Sequence, residues 1–247
     1  MALRAVVFDL FDTLVDLRFE DLERIEHDGK WFPASVTALH TAVAEHREIG
    51  FAAFLQALHG VDRALREIQV EEGRETSTRL RFARLLESLE LSEPGLRDRL
   101  TAVHMSSLEG VVAVPEHHEP LLCELGRSLR IGLCSNFTHA ETALDIVDSA
   151  GFREHFDAIA ISETVGWRKP RKEIFHAVLD ELEVAPDEVL HVGDSLRADI
   201  AGAAPLGMRT AWITRRVRDP EARLREHEGP APDHQVADLA ELLELFD

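Results

Sequence analysis

The sequence predicts an α/β protein, a Rossmann-like parallel sheet core with an all-helical cap inserted into it. Three observations carry that reading. A short apolar run near the N-terminus ends in an acid, about a hundred residues of helical periodicity follow, and the second half alternates short apolar runs with amphipathic stretches. In order along the chain, Val6-Val7-Phe8 is apolar without alternation, as in a strand buried on both faces. Ligands of such sheets bind at the carboxyl ends of strands, so Asp9 and the turn Phe11-Asp12-Thr13 are expected at the site.

From about Val15 to Pro115 no second buried strand is evident. Phe51, Phe54, Leu55, Leu58, Leu65 and Ile68 fall near helical spacing, as do Leu80, Phe82, Leu85, Leu86 and Leu89. Glu71-Glu72-Gly73 and Ser92-Glu93-Pro94-Gly95 punctuate these helices. Beyond Pro120, Leu129–Cys134, Ala158–Ile161, Val189–Val192 and Thr210–Ile213 are candidate strands separated by helical stretches, the pattern of right-handed βαβ units. Residues 1–15 and 115–247 are therefore assigned to the core and residues 16–114 to the helical cap.

Composition narrows the function. The chain has 247 residues, 45% of them hydrophobic, enough for a sizeable core, and a net charge of −19 that opposes nucleic acid and anionic membrane surfaces. Cys123 and Cys134 both lie among apolar neighbours and read as small buried hydrophobes in a reducing compartment. Neither a leader segment nor a membrane span is evident, so a cytoplasmic monomer or homodimer acting on a small anionic substrate is expected.

The remaining candidates sit at strand ends. Cys134-Ser135-Asn136 offers a hydroxyl and an amide that can donate to an anionic oxygen. Lys169 precedes a proline within the basic cluster Arg168-Lys169-Pro170-Arg171-Lys172, where an extended backbone and a following helix would fix a cation. Val192-Gly193-Asp194 ends a strand, with Asp199 five residues later. Mg²⁺ is typically held by one or two carboxylates plus a substrate phosphate, a minimum that Asp9 and Asp194 supply.

Taken in order, the segments at Asp9, Ser135, Lys169 and Asp194 resemble the four motifs of the haloacid dehalogenase-like hydrolase superfamily, in the subgroup with a helical cap after the first motif. The resemblance implies that Asp9 is a nucleophile forming an aspartyl-phosphate, that Ser135 and Lys169 bind the phosphoryl oxygens with help from Asn136, and that Thr13 orients the loop against the substrate. It further implies Mg²⁺ bound by Asp9, the Phe11 carbonyl and Asp194, with Asp199 in support or as an occasional ligand.

One position departs from the pattern. Phe11 stands where phosphatases of the superfamily usually carry a second Asp that handles protons, and true dehalogenases carry a non-acidic residue. A positioned general acid is worth roughly 10²–10⁴ in rate. Asp12 and His139 are the substitutes the sequence offers, the other histidines of the cap and strand ends (His27, His40, His104, His117, His118) being expected mostly at the surface. Three functions follow in order of preference: a Mg²⁺-dependent phosphatase of small metabolites, a metal-independent 2-haloacid dehalogenase, and a noncatalytic anion-binding module. The dehalogenase reading needs a halide-binding arginine, for which Arg18 and Arg24 are the candidates, and Trp31 and Phe32 are cap aromatics placed either against a substrate or, as is commoner on a helical insertion, in the cap's own core.

Overall fold

The computed structural model describes residues 2–245 and divides into two compact units, one formed by the chain up to Asp16 together with the chain from Ala113, the other by Leu17–Val112. The first unit is built on six strands: β1 (Ala5–Phe8), β2 (Arg130–Ser135), β3 (Ala158–Ile161), β4 (Val189–Gly193), β5 (Arg209–Ile213) and β6 (His234–Val236). Their order across the sheet is β6-β5-β4-β1-β2-β3, and every neighbouring pair runs parallel. Four of these are the strands expected beyond Pro120, with ends moved by a residue at most. The sixth, His234–Val236, was not anticipated, because three residues with one buried side chain carry no periodicity.

β1 lies between β2 and β4, with Phe8 paired to Leu133 on one side and Val192 on the other. This register sets Asp9 level with Cys134 and Gly193, so the residues that end three strands converge on one edge. Ala5, Val6, Val7 and Phe8 are all fully buried, as strands covered on both faces require. Helix Lys172–Leu182 covers one face through Ile174, Phe175, Val178, Leu179 and Leu182. Cys134 is buried here, whereas Cys123 is exposed on helix His118–Leu125, contrary to its apolar sequence neighbours: Leu121, Leu122 and Leu125 take the inward face and turn position 123 outward.

The second unit contains helices Ala34–Ala44, Phe51–Glu67, Thr78–Ser88 and Leu96–Glu109. Leu39, Phe54, Leu58, Phe82, Leu85 and Leu100 form its core. The Ser77 hydroxyl caps its third helix, and Gly73 and Gly95 adopt the left-handed conformation at the expected breaks. Leu80, assigned to the buried stripe, faces outward instead. The unit is not wholly helical. Arg24–His27 and Lys30–Pro33 form an antiparallel hairpin joined by Asp28 and Gly29, both at positive φ. Trp31 lies on this hairpin and is 60% exposed, while Phe32 meets the Phe51 ring edge-on at 5.1 Å. No helix among the described residues is long and apolar enough to cross a membrane.

The sheet and its covering helix are in close contact at Gly132, where an added Cβ would lie 2.9 Å from Val178, 3.0 Å from Leu182 and 3.1 Å from Val7 side-chain atoms. Gly132→Ala should therefore lower stability by about 1–3 kcal/mol through overpacking. Urea unfolding of the two proteins measures it, and an unchanged midpoint would show that the helix moves aside freely.

Candidate active site

Asp9 follows β1 directly, its amide donating to the Val192 carbonyl at 2.9 Å. Its carboxylate faces Lys169, whose buried ammonium makes three hydrogen bonds: 2.7 Å to Asp9 Oδ1, 2.6 Å to Asp199 Oδ1 and 2.6 Å to the Cys134 carbonyl. Those are all the donors an ammonium has. Lys169 is held in turn by Asn136, which accepts from the Lys169 amide through Oδ1 (2.7 Å) and donates to the Lys169 carbonyl through Nδ2 (3.0 Å). Asn136, expected to assist at the phosphoryl oxygens, thus spends its amide on positioning the lysine. The Lys169–Pro170 peptide is cis, and the helix begins at Lys172 instead of at the proline.

Asp199 was expected in support of the metal ligands or as an occasional ligand itself. It is fully buried, and both oxygens are committed: Oδ1 to Lys169 and to His191 Nε2 (2.9 Å), Oδ2 to the Ser195 amide (3.0 Å). It therefore acts as an anchor for Lys169 and for the turn that carries Asp194. His191 was missed, although a polar residue inside the apolar strand Val189–Gly193 was the available signal. Gly193 is required beside this anchor, since a Cβ there would sit 2.2 Å from Asp199 Cγ.

Asp194 stands apart. Its carbonyl accepts from Trp212 Nε1 at 2.7 Å, but its carboxylate has no hydrogen-bond or salt-bridge partner among the described residues. Carboxylate oxygens of Asp9, Asp194 and Asp199 nonetheless lie within 4.8 Å of one another. Burial is the main reason that Asp9 is raised to about 6, with Lys169 opposing and Asp199 reinforcing. Burial also leads in raising Asp194 to about 8, and the negative charges of Asp9, Asp199 and Asp12 add to it. Burial would raise Asp199 as well, but Lys169 and His191 outweigh it and hold that carboxyl far below the usual range. Lys169 is the mirror case: burial disfavours its charge, and Asp199 and Asp9 more than restore it.

Ser135 Oγ and Thr13 Oγ1 are buried without a hydrogen-bond partner among the described residues. Phe11 lays its ring against Phe137 at 4.6 Å between centroids. Of the two substitute acids, Asp12 adopts positive φ and pairs with Arg216 Nε at 3.4 Å. His139 caps helix Ala140–Ser149, accepting from the Thr142 amide at Nδ1. The expectation of surface histidines fails for His118, which is fully buried with Nδ1 donating to the Leu14 carbonyl; His139, the candidate acid, is buried as well. In the other unit, His27 stacks on Phe51, His40 bonds the Ile49 carbonyl, and Arg18 and Arg24 are exposed.

A sequence profile of the haloacid dehalogenase-like hydrolases matches residues 3–207, and the chain belongs to that family. It is 31% identical to the pyrimidine 5'-nucleotidase YjjG of Escherichia coli over 185 residues, 74% of each chain. It is 39% identical over 95 residues to a phosphoserine phosphatase of Thermus thermophilus, a match spanning 38% of this chain and only 35% of that protein. Among solved structures, a 2-haloacid dehalogenase of Pseudomonas syringae pv. Tomato superposes with a TM-score of 0.68 at 19% identity, covering 98% of this chain and 97% of that one, which shows a shared fold.

The perturbed Asp194 links stability to pH. Without metal, folded Asp194 keeps a proton up to about pH 8 that the unfolded chain releases near 3.8, so its contribution falls as pH rises through that window. Asp194→Asn removes the contribution, and the variant should melt progressively higher than the unsubstituted protein between pH 5 and pH 8 in chelator. Parallel Tm–pH curves for the two proteins would contradict this assignment.

Proposed function

We propose that the chain is a Mg²⁺-dependent phosphatase of small phosphorylated metabolites, working through an aspartyl-phosphate on Asp9. The observation that carries this reading is the Asp194 carboxylate, half-buried among acids and without a hydrogen-bond or salt-bridge partner among the described residues. A hard dication fits that donor set, whereas a carboxylate left there bare repels both Asp9 and an anionic substrate. Asp9, Asp194 and the Phe11 carbonyl would hold the ion, and Asp199, its oxygens already committed, would not. When bound, Mg²⁺ supplies charge neutralisation for a carboxylate approaching a phosphate dianion.

The chain's own residues account for the rest. Lys169 fixes Asp9 through Oδ1, so the other carboxylate oxygen attacks phosphorus as the ester P–O bond breaks and the leaving oxygen takes the electron pair. Ser135 donates its otherwise unpartnered hydroxyl to a phosphoryl oxygen. Water then attacks phosphorus, releasing phosphate and restoring the Asp9 carboxylate. The names of the nucleotidase and phosphatase relatives support transfer from phosphate esters.

Phe11 supplies no proton, Asp12 is engaged by Arg216, and His139 spends Nδ1 on capping a helix. The rate should depend steeply on the leaving group. With Mg²⁺ the protein should hydrolyse 4-nitrophenyl phosphate at least about 10²-fold faster than an alkyl phosphate, chelator should abolish both activities, and Phe11→Asp should narrow the gap by raising the alkyl rate. Equal aryl and alkyl rates would identify another acid, and metal-independent halide release from 2-haloacids with no phosphate release would replace this reading with the dehalogenase one.

A further inference from the structure

Beside Asp194 the first unit carries a cavity of about 540 Å³ whose chemistry differs from the rest of the protein. Four of its eleven lining residues are arginines, Arg197, Arg216, Arg218 and Arg223, in a chain where Lys and Arg together are 27 of 247 residues and the net charge is −19. Trp212 forms part of the wall, and its indole N–H reaches the Asp194 carbonyl, tying the cavity to the turn that ends β4. Arg216 is engaged by Asp12 of the loop after Asp9, which joins the cavity to the nucleophile's own turn. Its neighbour Arg215 is absent from the lining and is held by Asp16.

The other three arginines are different. The side chains of Arg197, Arg218 and Arg223 make no ion pair or hydrogen bond among the described residues, although Asp194 and Glu226 also line the cavity and the chain has 46 acids against 27 Lys and Arg. Guanidinium groups left uncommitted in so acidic a protein, gathered from two separate segments onto one cavity, form a recognition surface for an anion with several oxygens. A phosphate dianion matches the charge and the planar forks better than a lone carboxylate does.

We propose that this cavity holds a second phosphate of the same substrate whose first phosphate reacts at Asp9, so that the preferred substrates are small bisphosphorylated molecules. The inference rests on the phosphatase reading and adds to it the substrate class. The volume, within the range of small-molecule sites, leaves room for the linking carbon skeleton.

Calorimetric titration tests it without relying on turnover. The full-length protein in Mg²⁺ buffer is titrated with butylphosphonate, with a series of α,ω-alkane bisphosphonates of increasing length, and with inorganic phosphate. At least one bisphosphonate should bind about tenfold or more tightly than the monophosphonate, because the second group binds at the effective concentration set by its linker. Arg218→Ala/Arg223→Ala should bring that ratio close to one, and Arg218→Glu should weaken the bisphosphonate further than Arg218→Ala does. These arginines are exposed, so the variants keep the fold. No preference for any bisphosphonate, or a preference unchanged in the double variant, overturns the proposal. Two inorganic phosphates bound per chain without a bisphosphonate preference would make the cavity a site for a free anion and overturn it equally. Hydrolysis of 4-nitrophenyl phosphate, assayed in parallel, keeps the two readings separate: hydrolysis without a bisphosphonate preference sinks this inference alone, and absence of hydrolysis sinks the phosphatase reading beneath it.

Discussion

The buried ammonium of Lys169 is the constraint on which the rest of the site depends. A lysine charge removed from water is tolerated only where oxygens replace its hydration, and here three do so: Asp9, Asp199 and the Cys134 carbonyl. Those partners come from the loop after β1, from the helical turn after β4 and from β2. The ion thereby ties together three segments that are distant in sequence. Removing any one partner leaves an uncompensated charge in the interior, which is why Asn136 clamps the Lys169 backbone and His191 supports Asp199 from within β4.

The two carboxylates that follow β4 show how neighbours decide role. Asp199 is surrounded by donors and is held ionised, an anchor with no oxygen to spare. Asp194, five residues earlier, has acids around it and no donor among the described residues, so its charge is disfavoured until something positive arrives. A fixed cation on one side and an unsatisfied carboxylate on the other polarise the cleft around Asp9. Phe11 adds a third element, an aromatic surface against Phe137 where an acid would otherwise move protons.

Much of this was legible in the sequence because the relevant signals are local. Unbroken apolar runs marked five of the six core strands, and Asp9, Ser135 and Asp194 stand at a strand end or directly after one, whereas Lys169 lies beyond the short helix Ser162–Val165 and Asp199 in the helical turn after β4. What stayed hidden depends on long-range geometry. That Asn136 serves Lys169 follows from a pairing across 33 residues, and that Asp199 is buried follows from Gly193 having no side chain beneath it. The hairpin around Asp28-Gly29 escaped because its strands are short and exposed, giving no alternation to read. The arginine cavity joins the turn after β4 to the segment after β5, and the basic stretch Arg215-Arg216-Val217-Arg218 looks like any solvated face until the fold brings Arg197 to it.

The central claim is that Asp9 becomes covalently phosphorylated. A reaction with 4-nitrophenyl phosphate, quenched in acid during turnover, digested and analysed by mass spectrometry, tests it directly. The account predicts phosphate on the peptide containing Asp9 and located on that residue. Phosphate release during turnover with no covalent adduct, or with the adduct on a different residue, would contradict it.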